Sequence, residues 1–350
     1  MNNKILIITK NFPPQVWGIE KYVNDLCCQL SQAWDQIKII AASPRNEKLI
    51  VKKWSLFFPK RIAFVLLYQF SELWRLGRFF LYAMTFGLFY GNRVDIIWTM
   101  DGSISWIWVI LGKIFQKRTR VTIHGTDIVW NRAWYQFVIP KFINKTDEIY
   151  VVSESTREAC ISRHIAPHKI RLVVHTAESL FFPAAWIFDR YQFLLNLWIW
   201  SPEKKIILFS IWRWVKRKWF HWFIDTVLPH LDKNNYHYIL CWSGSMGMAY
   251  RHLIKKYDLS SMVSLLGSVT EQDKARIFLS SSYFIMPNVS VDWDVEWFWL
   301  VLLEAQFYWL KCIVSDVDWL GGRVSSRDIV IPSMNPELWV NVLKKLSLTI

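Results

Sequence analysis

Short β-branched runs recur along the chain with helical patterns between most of them, and this alternation constrains the fold more than any other feature. The first series falls at 5–9, 37–41, 94–99, 120–124, 148–153 and 170–174. A second follows at 205–210, 236–241, 262–266, 283–286, 311–315 and 328–331. Strands separated by helices predict parallel sheets with helices on both faces. Two such series in 350 residues, more than one core usually holds, predict two Rossmann-like, doubly wound α/β domains, 1–185 and 186–350, facing a central cleft. In open sheets of this kind ligands bind outside the carboxyl ends of the strands. Functional residues are therefore expected there.

Composition narrows the setting. The start, MNNKILIITK, has a short apolar run and no small-residue cleavage site, so it reads as a first buried strand rather than a secretory signal. Five cysteines without a C-x-x-C pair fit a reducing cytoplasm. The apolar stretches at 62–70, 79–90 and 104–111 are shorter than the roughly 18 to 20 residues that span a bilayer. A net charge of +14 implies an anionic partner: a membrane surface, a nucleic acid or a phosphorylated ligand. Segment 52–93 carries seven Lys or Arg against one acid, Glu72, among aromatics and leucines. That composition suits a helix lying in an anionic membrane interface, or equally helices with a solvated basic face packed on the sheet.

Tryptophan is anomalous. The chain has 23 tryptophans and only 12 glycines, where average usage of about 7% glycine predicts roughly twice as many. Many of the tryptophans fall in turn-like contexts such as FPPQVWGIEKY, SIWRWVKRKWF and LCWSGSMG. This pattern arises when UGA codons that specify glycine are decoded as tryptophan, with Trp17, Trp212, Trp219, Trp242, Trp297 and Trp299 as the clearest cases.

Four motifs carry chemistry. Glu296 and Glu304 bracket seven residues in DVEWFWLVLLEAQ, a spacing that sets a loop carboxylate before one inside the following helix. Arg213 and Lys218 follow the strand KIILFS and can converge on a diphosphate, one as a fork and one as a point charge. Gly18, after Trp17, opens a helix whose first amides can receive an anion. His124 follows a mid-domain strand in VTIHGTD, and Ser153 opens a helix as a cap. Taken singly, each has a plain structural explanation: solvated charges, a basic patch, a turn or a hydrogen-bonded histidine.

Together they resemble glycosyltransferase family 4, retaining enzymes of the two-domain GT-B fold. The family's E-G-F-G-L-x-x-x-E-A is matched by Glu296, Trp297, Phe298, Trp299, Leu300, Glu304 and Ala305, with tryptophan at each glycine. Its G-R-x4-K-G is matched by Trp212, Arg213, Lys218 and Trp219, its G-x-G by Trp242, Ser243 and Gly244, and its first glycine loop by Trp17 and Gly18. The resemblance implies that Glu296 contacts the donor sugar, Glu304 the ribose, Arg213 and Lys218 the leaving diphosphate, and His124 the transferred sugar. Trp297, Phe298, Trp299, Leu300 and Gly244 would line the donor. It further implies a nucleoside diphosphate sugar as co-substrate, no cofactor or metal, a sugar or lipid-linked acceptor, no nucleic acid, and work in the cytoplasm or on the inner face of its membrane. Two departures stand out: the family's Asn-Gly-Val-Asp is missing from VVHTAESLFFP, and the end at Ile350 reads as a truncation. A basic nucleic-acid-binding protein and a degenerate GT-B protein with a filled donor site are the competing readings.

Overall fold

The computed structural model describes residues 3–10, 18–33, 36–43, 62–68, 84–85, 88–173, 187–289, 300–317 and 324–348. The chain divides into two compact units, Met1–His175 and Thr176–Ile350, each with its own parallel sheet.

In the first unit the strands are β1 (Lys4–Thr9), β2 (Gln36–Ser43), β3 (Ile62–Tyr68), β4 (Ile96–Thr99), β5 (Arg118–Ile123), β6 (Glu148–Val151) and β7 (Ile170–Leu172), in the order β3-β2-β1-β4-β5-β6-β7. Helices α1 (Gly18–Gln32), α2 (Ser105–Phe115), α3 (Thr126–Val129), α4 (Ala133–Ile143) and α5 (Glu154–Ile161) lie between them. The unbroken apolar run of β1 follows from cover on both faces. Ile5 and Ile7 pack with Tyr22, Val23 and Cys27 of α1, whereas Leu6 and Ile8 pack with Ile107, Trp108 and Leu111 of α2. Ser153 caps α5 as expected, its Oγ accepting from the Thr156 amide at 3.1 Å.

The second unit has β8 (Ile206–Ile211), β9 (Tyr236–Cys241), β10 (Val263–Gly267), β11 (Tyr283–Met286), β12 (Cys312–Asp316) and β13 (Ile329–Pro332), ordered β10-β9-β8-β11-β12-β13. Its helices are α6 (Arg190–Asn196), α7 (Phe220–Thr226), α8 (Gly247–Lys256), α9 (Glu271–Ser280), α10 (Leu300–Phe307) and α11 (Pro336–Ser347). Again the central strand feeds two cores. Ile207 and Phe209 meet Phe278, Phe284 and Leu302, and Ile206 and Leu208 meet Phe223, Tyr238 and Trp339.

One expectation is corrected. Within the basic segment 52–93, Ile62–Tyr68 is the edge strand β3, in register with β2 from Ile37 opposite Ile62 to Ser43 opposite Tyr68. Seven apolar and aromatic residues, IAFVLLY, offer no polar face for an interfacial helix, and extended pairing satisfies the backbone instead. Residues 44–61, 69–83 and 86–87 of that neighbourhood lie outside the described ones. Among the described residues no helix is long and apolar enough to cross a membrane.

Candidate active site

Each sheet reverses its strand order once, between β1 and β4 in the first unit and between β8 and β11 in the second. A crevice opens at the carboxyl ends of the strands at such a point, which is where ligands of doubly wound folds bind. The motif residues that fall within the described parts of the chain lie at or near these ends.

At the end of β8 stand Trp212 and Arg213, followed by a single 3-10 turn, Lys216–Lys218. Lys218 is fully buried, with its Nζ 3.3 Å from the centre of the Trp212 ring. A buried ammonium over an indole face retains part of the stabilisation it loses with water. The loop after β9 is strapped to the loop after β8 through Trp214. Its amide donates to the Ser243 carbonyl at 3.1 Å, its carbonyl accepts from the Met246 amide at 2.9 Å, and its Nε1 donates to the Cys241 carbonyl at 3.1 Å. Gly244 is required by this approach: a Cβ there would come within 2.5 Å of the Trp214 carbonyl oxygen. Two tryptophans of the same loops, Trp219 at φ 56° and Trp242 at φ 89°, hold the left-handed backbone that favours glycine.

Glu304, on α10, is 3% exposed and accepts from Lys274 of α9 at 3.0 Å. Lys274 also pairs with the more exposed Glu271 at 2.7 Å. Burial alone would favour the neutral amine, but the two carboxylates outweigh it and raise the Lys274 pKa. One Glu304 oxygen is thus fixed by a buried cation. Sequence reasoning missed Lys274, because a lysine in EQDKARIFLS reads as a solvated helix charge. It also missed Asn288, just beyond β11, which is 4% exposed with an Oδ1 that accepts no hydrogen bond. Leu300 begins α10, while Glu296, Trp297, Phe298 and Trp299 lie outside the described residues, as does Trp17.

In the first unit, Lys10 beyond β1 pairs with Asp101 beyond β4 at 2.8 Å and so spans the reversal point. His124, one residue past β5, is 9% exposed and meets the Tyr22 ring edge-on at 5.2 Å. Burial lowers its pKa to about 4, against the opposing pull of Asp101 and a hydrogen bond to the Met100 backbone. The ring is therefore neutral at pH 7, and its buried Nε2 has no hydrogen-bond partner. The turn that holds it is pinned by Asp127, which the motif reading left without a role. Asp127 Oδ1 accepts from the His124 and Gly125 amides, both at 2.9 Å, and Oδ2 from the Gly102 amide at 2.8 Å. Gly125 at φ 103° makes this turn possible. Beside it opens a cavity of about 710 Å³ with Lys10, Asp101 and Asp127 among its polar lining and Trp106, Trp130 and Trp134 among its walls. Gly18 begins α1. Among the described residues no group of three or more His, Cys, Asp or Glu could hold a metal ion.

Two buried histidines make stability acid-sensitive. His237, 2% exposed with Nε2 2.8 Å from Ser264 Oγ, is also lowered to about 4 by burial. Between pH 6.5 and about 4 the unfolded chain binds protons that the folded histidines refuse. Stability is therefore whole above pH 6.5 and falls as the pH drops toward 4, by on the order of 3 kcal/mol for each ring. Urea unfolding at pH 7 and pH 4.5 should show this loss, and His237→Gln should shrink it. An equal loss in the variant would remove His237 as a cause.

The profile of Glycosyltransferase Family 4 matches residues 16–178, and that of Glycosyl transferases group 1 matches residues 199–348. The chain is a glycosyltransferase, matched over its first half by family 4 and over its second by group 1. No curated protein sequence matches this glycosyltransferase. Among solved structures it is similar to HepE of Anabaena in complex with UDP, with TM-score 0.75 and 12% identity over 98% of this chain and 89% of that one. A glycosyltransferase from Rickettsia africae gives TM-score 0.77 at 14% identity, covering 100% and 89%. WaaG, a glycosyltransferase involved in lipopolysaccharide biosynthesis, gives 0.67 at 11%, covering 99% and 90%. At such identities the likeness is one of fold, and it is the GT-B fold that the motifs imply.

Proposed function

We propose that this glycosyltransferase moves a sugar from a nucleoside diphosphate sugar to an acceptor hydroxyl with retention of configuration, in the synthesis of a cell-envelope polysaccharide or glycolipid. The observation that carries the reading is the Arg213–Lys218 pair at the carboxyl end of β8, with Lys218 buried in the turn. Two cations from one strand-end loop suit the charge that grows on a departing diphosphate, and they would stabilise it without a metal. The acceptor hydroxyl attacks on the face from which the diphosphate leaves, and a donor phosphate oxygen takes its proton. Glu304 takes the ribose hydroxyls, and Glu296, with the loop from Trp297 to Leu300 and with Gly244, takes the donor's sugar and phosphates. The amides at the start of α1, after Trp17 and Gly18, serve the acceptor or phosphate side.

On the first unit, the neutral His124 offers a buried lone pair to a hydroxyl of the transferred sugar. The tryptophan-walled cavity, with charged groups in its lining, suits an acceptor that is apolar on one side and hydroxylated on the other. A sugar on a lipid carrier has that character. The setting would be the inner face of the cytoplasmic membrane. HepE also crystallised with UDP-glucose, which makes a UDP-sugar the first donor to try.

Glu304→Gln tests the donor half while keeping a partner for Lys274. Calorimetry should show nucleoside diphosphate binding weakened roughly tenfold, the cost of a charge-assisted hydrogen bond. A 2′,3′-dideoxy analogue should bind wild type and variant alike. If Glu304→Gln leaves ribonucleotide affinity intact, the ribose assignment is wrong.

A further inference from the structure

Two neighbouring helices of the first unit hold large apolar side chains in water. On α4, Trp134 and Phe137 are 59% and 68% exposed, and on α2, which packs against α4, Ile110 and Ile114 are 43% and 61% exposed. Lysines share the same stripes at helical spacing. Lys113 follows Ile110 on α2 and Lys141 follows Trp134 and Phe137 on α4, while Lys117 and Lys145 lie just past the ends of the two helices. Lys141 Nζ lies 3.4 Å from the centre of the Phe137 ring, and Lys145 Nζ 5.3 Å from that of Phe142.

Among the described residues no carboxylate pairs with these four lysines. The arginines of the neighbouring strand, Arg118 and Arg120, pair with Glu148, and the one acid within residues 105–146 is Asp127. That carboxylate is engaged by three backbone amides. A core-facing helix buries its apolar stripe, and a solvent-facing one is polar; these outward faces do neither. Ammonium groups on flexible stems beside aromatic and aliphatic side chains are the makings of a helix that lies in a lipid interface.

We propose that the α2–α4 face seats the enzyme on an anionic lipid surface. This deepens the reading of a lipid-linked acceptor and rests on it. Trp134 of α4 also walls the 710 Å³ cavity, so an acceptor anchored in the bilayer meets that cavity beside the same helix. The partner's chemistry follows from the surface: negative headgroups for the four lysines, and the upper acyl region for Ile114, Trp134 and Phe137.

Flotation with vesicles of phosphatidylcholine, alone or with added phosphatidylglycerol, tests this. The wild type should float only with phosphatidylglycerol and should lose most binding at about 1 M salt, where the Debye length falls to about 3 Å. Lys113→Glu/Lys141→Glu/Lys145→Glu should lower the partition coefficient roughly a hundredfold or more, from about 1 kcal/mol for each lysine near the surface. Ile114→Ser/Phe137→Ser should lower it at every salt concentration. The three lysines and both apolar residues changed here are exposed, and the single changes Lys141→Glu and Phe137→Ser, each expected to weaken binding several-fold, serve should a multiple variant fail to fold. Equal binding to both vesicle types, unchanged binding by the variants, or vesicle-free self-association that the same changes abolish would overturn the proposal. Transfer to a water-soluble acceptor, measured without vesicles, separates the readings. A protein that docks but transfers nothing loses the proposed activity and keeps the surface; one that transfers but does not dock loses the surface alone.

Discussion

Glycine at positions 198, 219, 242 and 309 should make the protein more stable than tryptophan does. All four tryptophans have positive φ, at 61°, 56°, 89° and 60°. Two of them close helices. The Trp309 amide donates to the Gln306 carbonyl and the Leu310 amide to the Ala305 carbonyl, and Trp198 and Ile199 bond likewise to Leu195 and Leu194. This pair of bonds defines the helix ending in which a left-handed residue, usually glycine, stands just past the cap. Both indoles are mostly solvated, 77% exposed at Trp198 and 73% at Trp309, so little packing is lost with them. A side chain in this backbone costs about 1 to 2 kcal/mol, offset in part by the greater freedom of glycine in the unfolded chain, about 0.5 to 1 kcal/mol. Trp198→Gly and Trp309→Gly should together gain on the order of 1 to 2 kcal/mol; Trp219 and Trp242 also pack against the second unit's cores, so glycine there gains less. Urea unfolding measures it, and a variant no more stable than its parent would show the tryptophans to be at home. The codons provide a second reading: UGA is expected at these positions, and UGG would exclude misdecoding.

Removing either cation at the end of β8 should affect turnover most. Arg213→Ala and Lys218→Met are each expected to slow glycosyl transfer about a hundred- to a thousandfold, the usual effect of deleting one preorganised group that stabilises transition-state charge. KM for the acceptor should stay within a few-fold, since neither cation is assigned to it. Lys218→Met keeps much of the buried volume, which limits the structural cost of losing a fully buried side chain. Single-turnover rates with a nucleoside diphosphate sugar give the answer. Rates within threefold of wild type for both variants would end the metal-free clamp, and a chelator that abolishes wild-type activity would point to another source of charge.

Much of this was legible in the chain itself. The strand runs of both series were readable because a strand covered on both faces is a short continuous apolar block, as in KILIIT and IILFSI. β3 escaped notice because its neighbours are basic and aromatic, so composition over 52–93 outweighed the seven residues that pair. The motifs led to Arg213, Lys218, His124 and Glu304 because each is a distinctive type at a fixed spacing. Lys274, Asp127 and Asn288 were illegible for the opposite reason. Their significance lies in contacts across the fold, such as Lys274 reaching Glu304 thirty residues away, and nothing local marks a lysine that will be buried.

The strap through Trp214 limits how this enzyme could be redesigned. Surface loops ordinarily accept insertions, because their ends are the only constraint on their path. Here one residue of the loop after β8 makes three hydrogen bonds, two to the loop after β9 and one to that strand's last carbonyl, and the Gly244 backbone is pressed against that residue's own. An inserted residue in either loop would shift the register of both. Grafting longer loops is therefore a poor route to a bulkier donor; altered donor choice has to be sought through side chains set on loops of unchanged length.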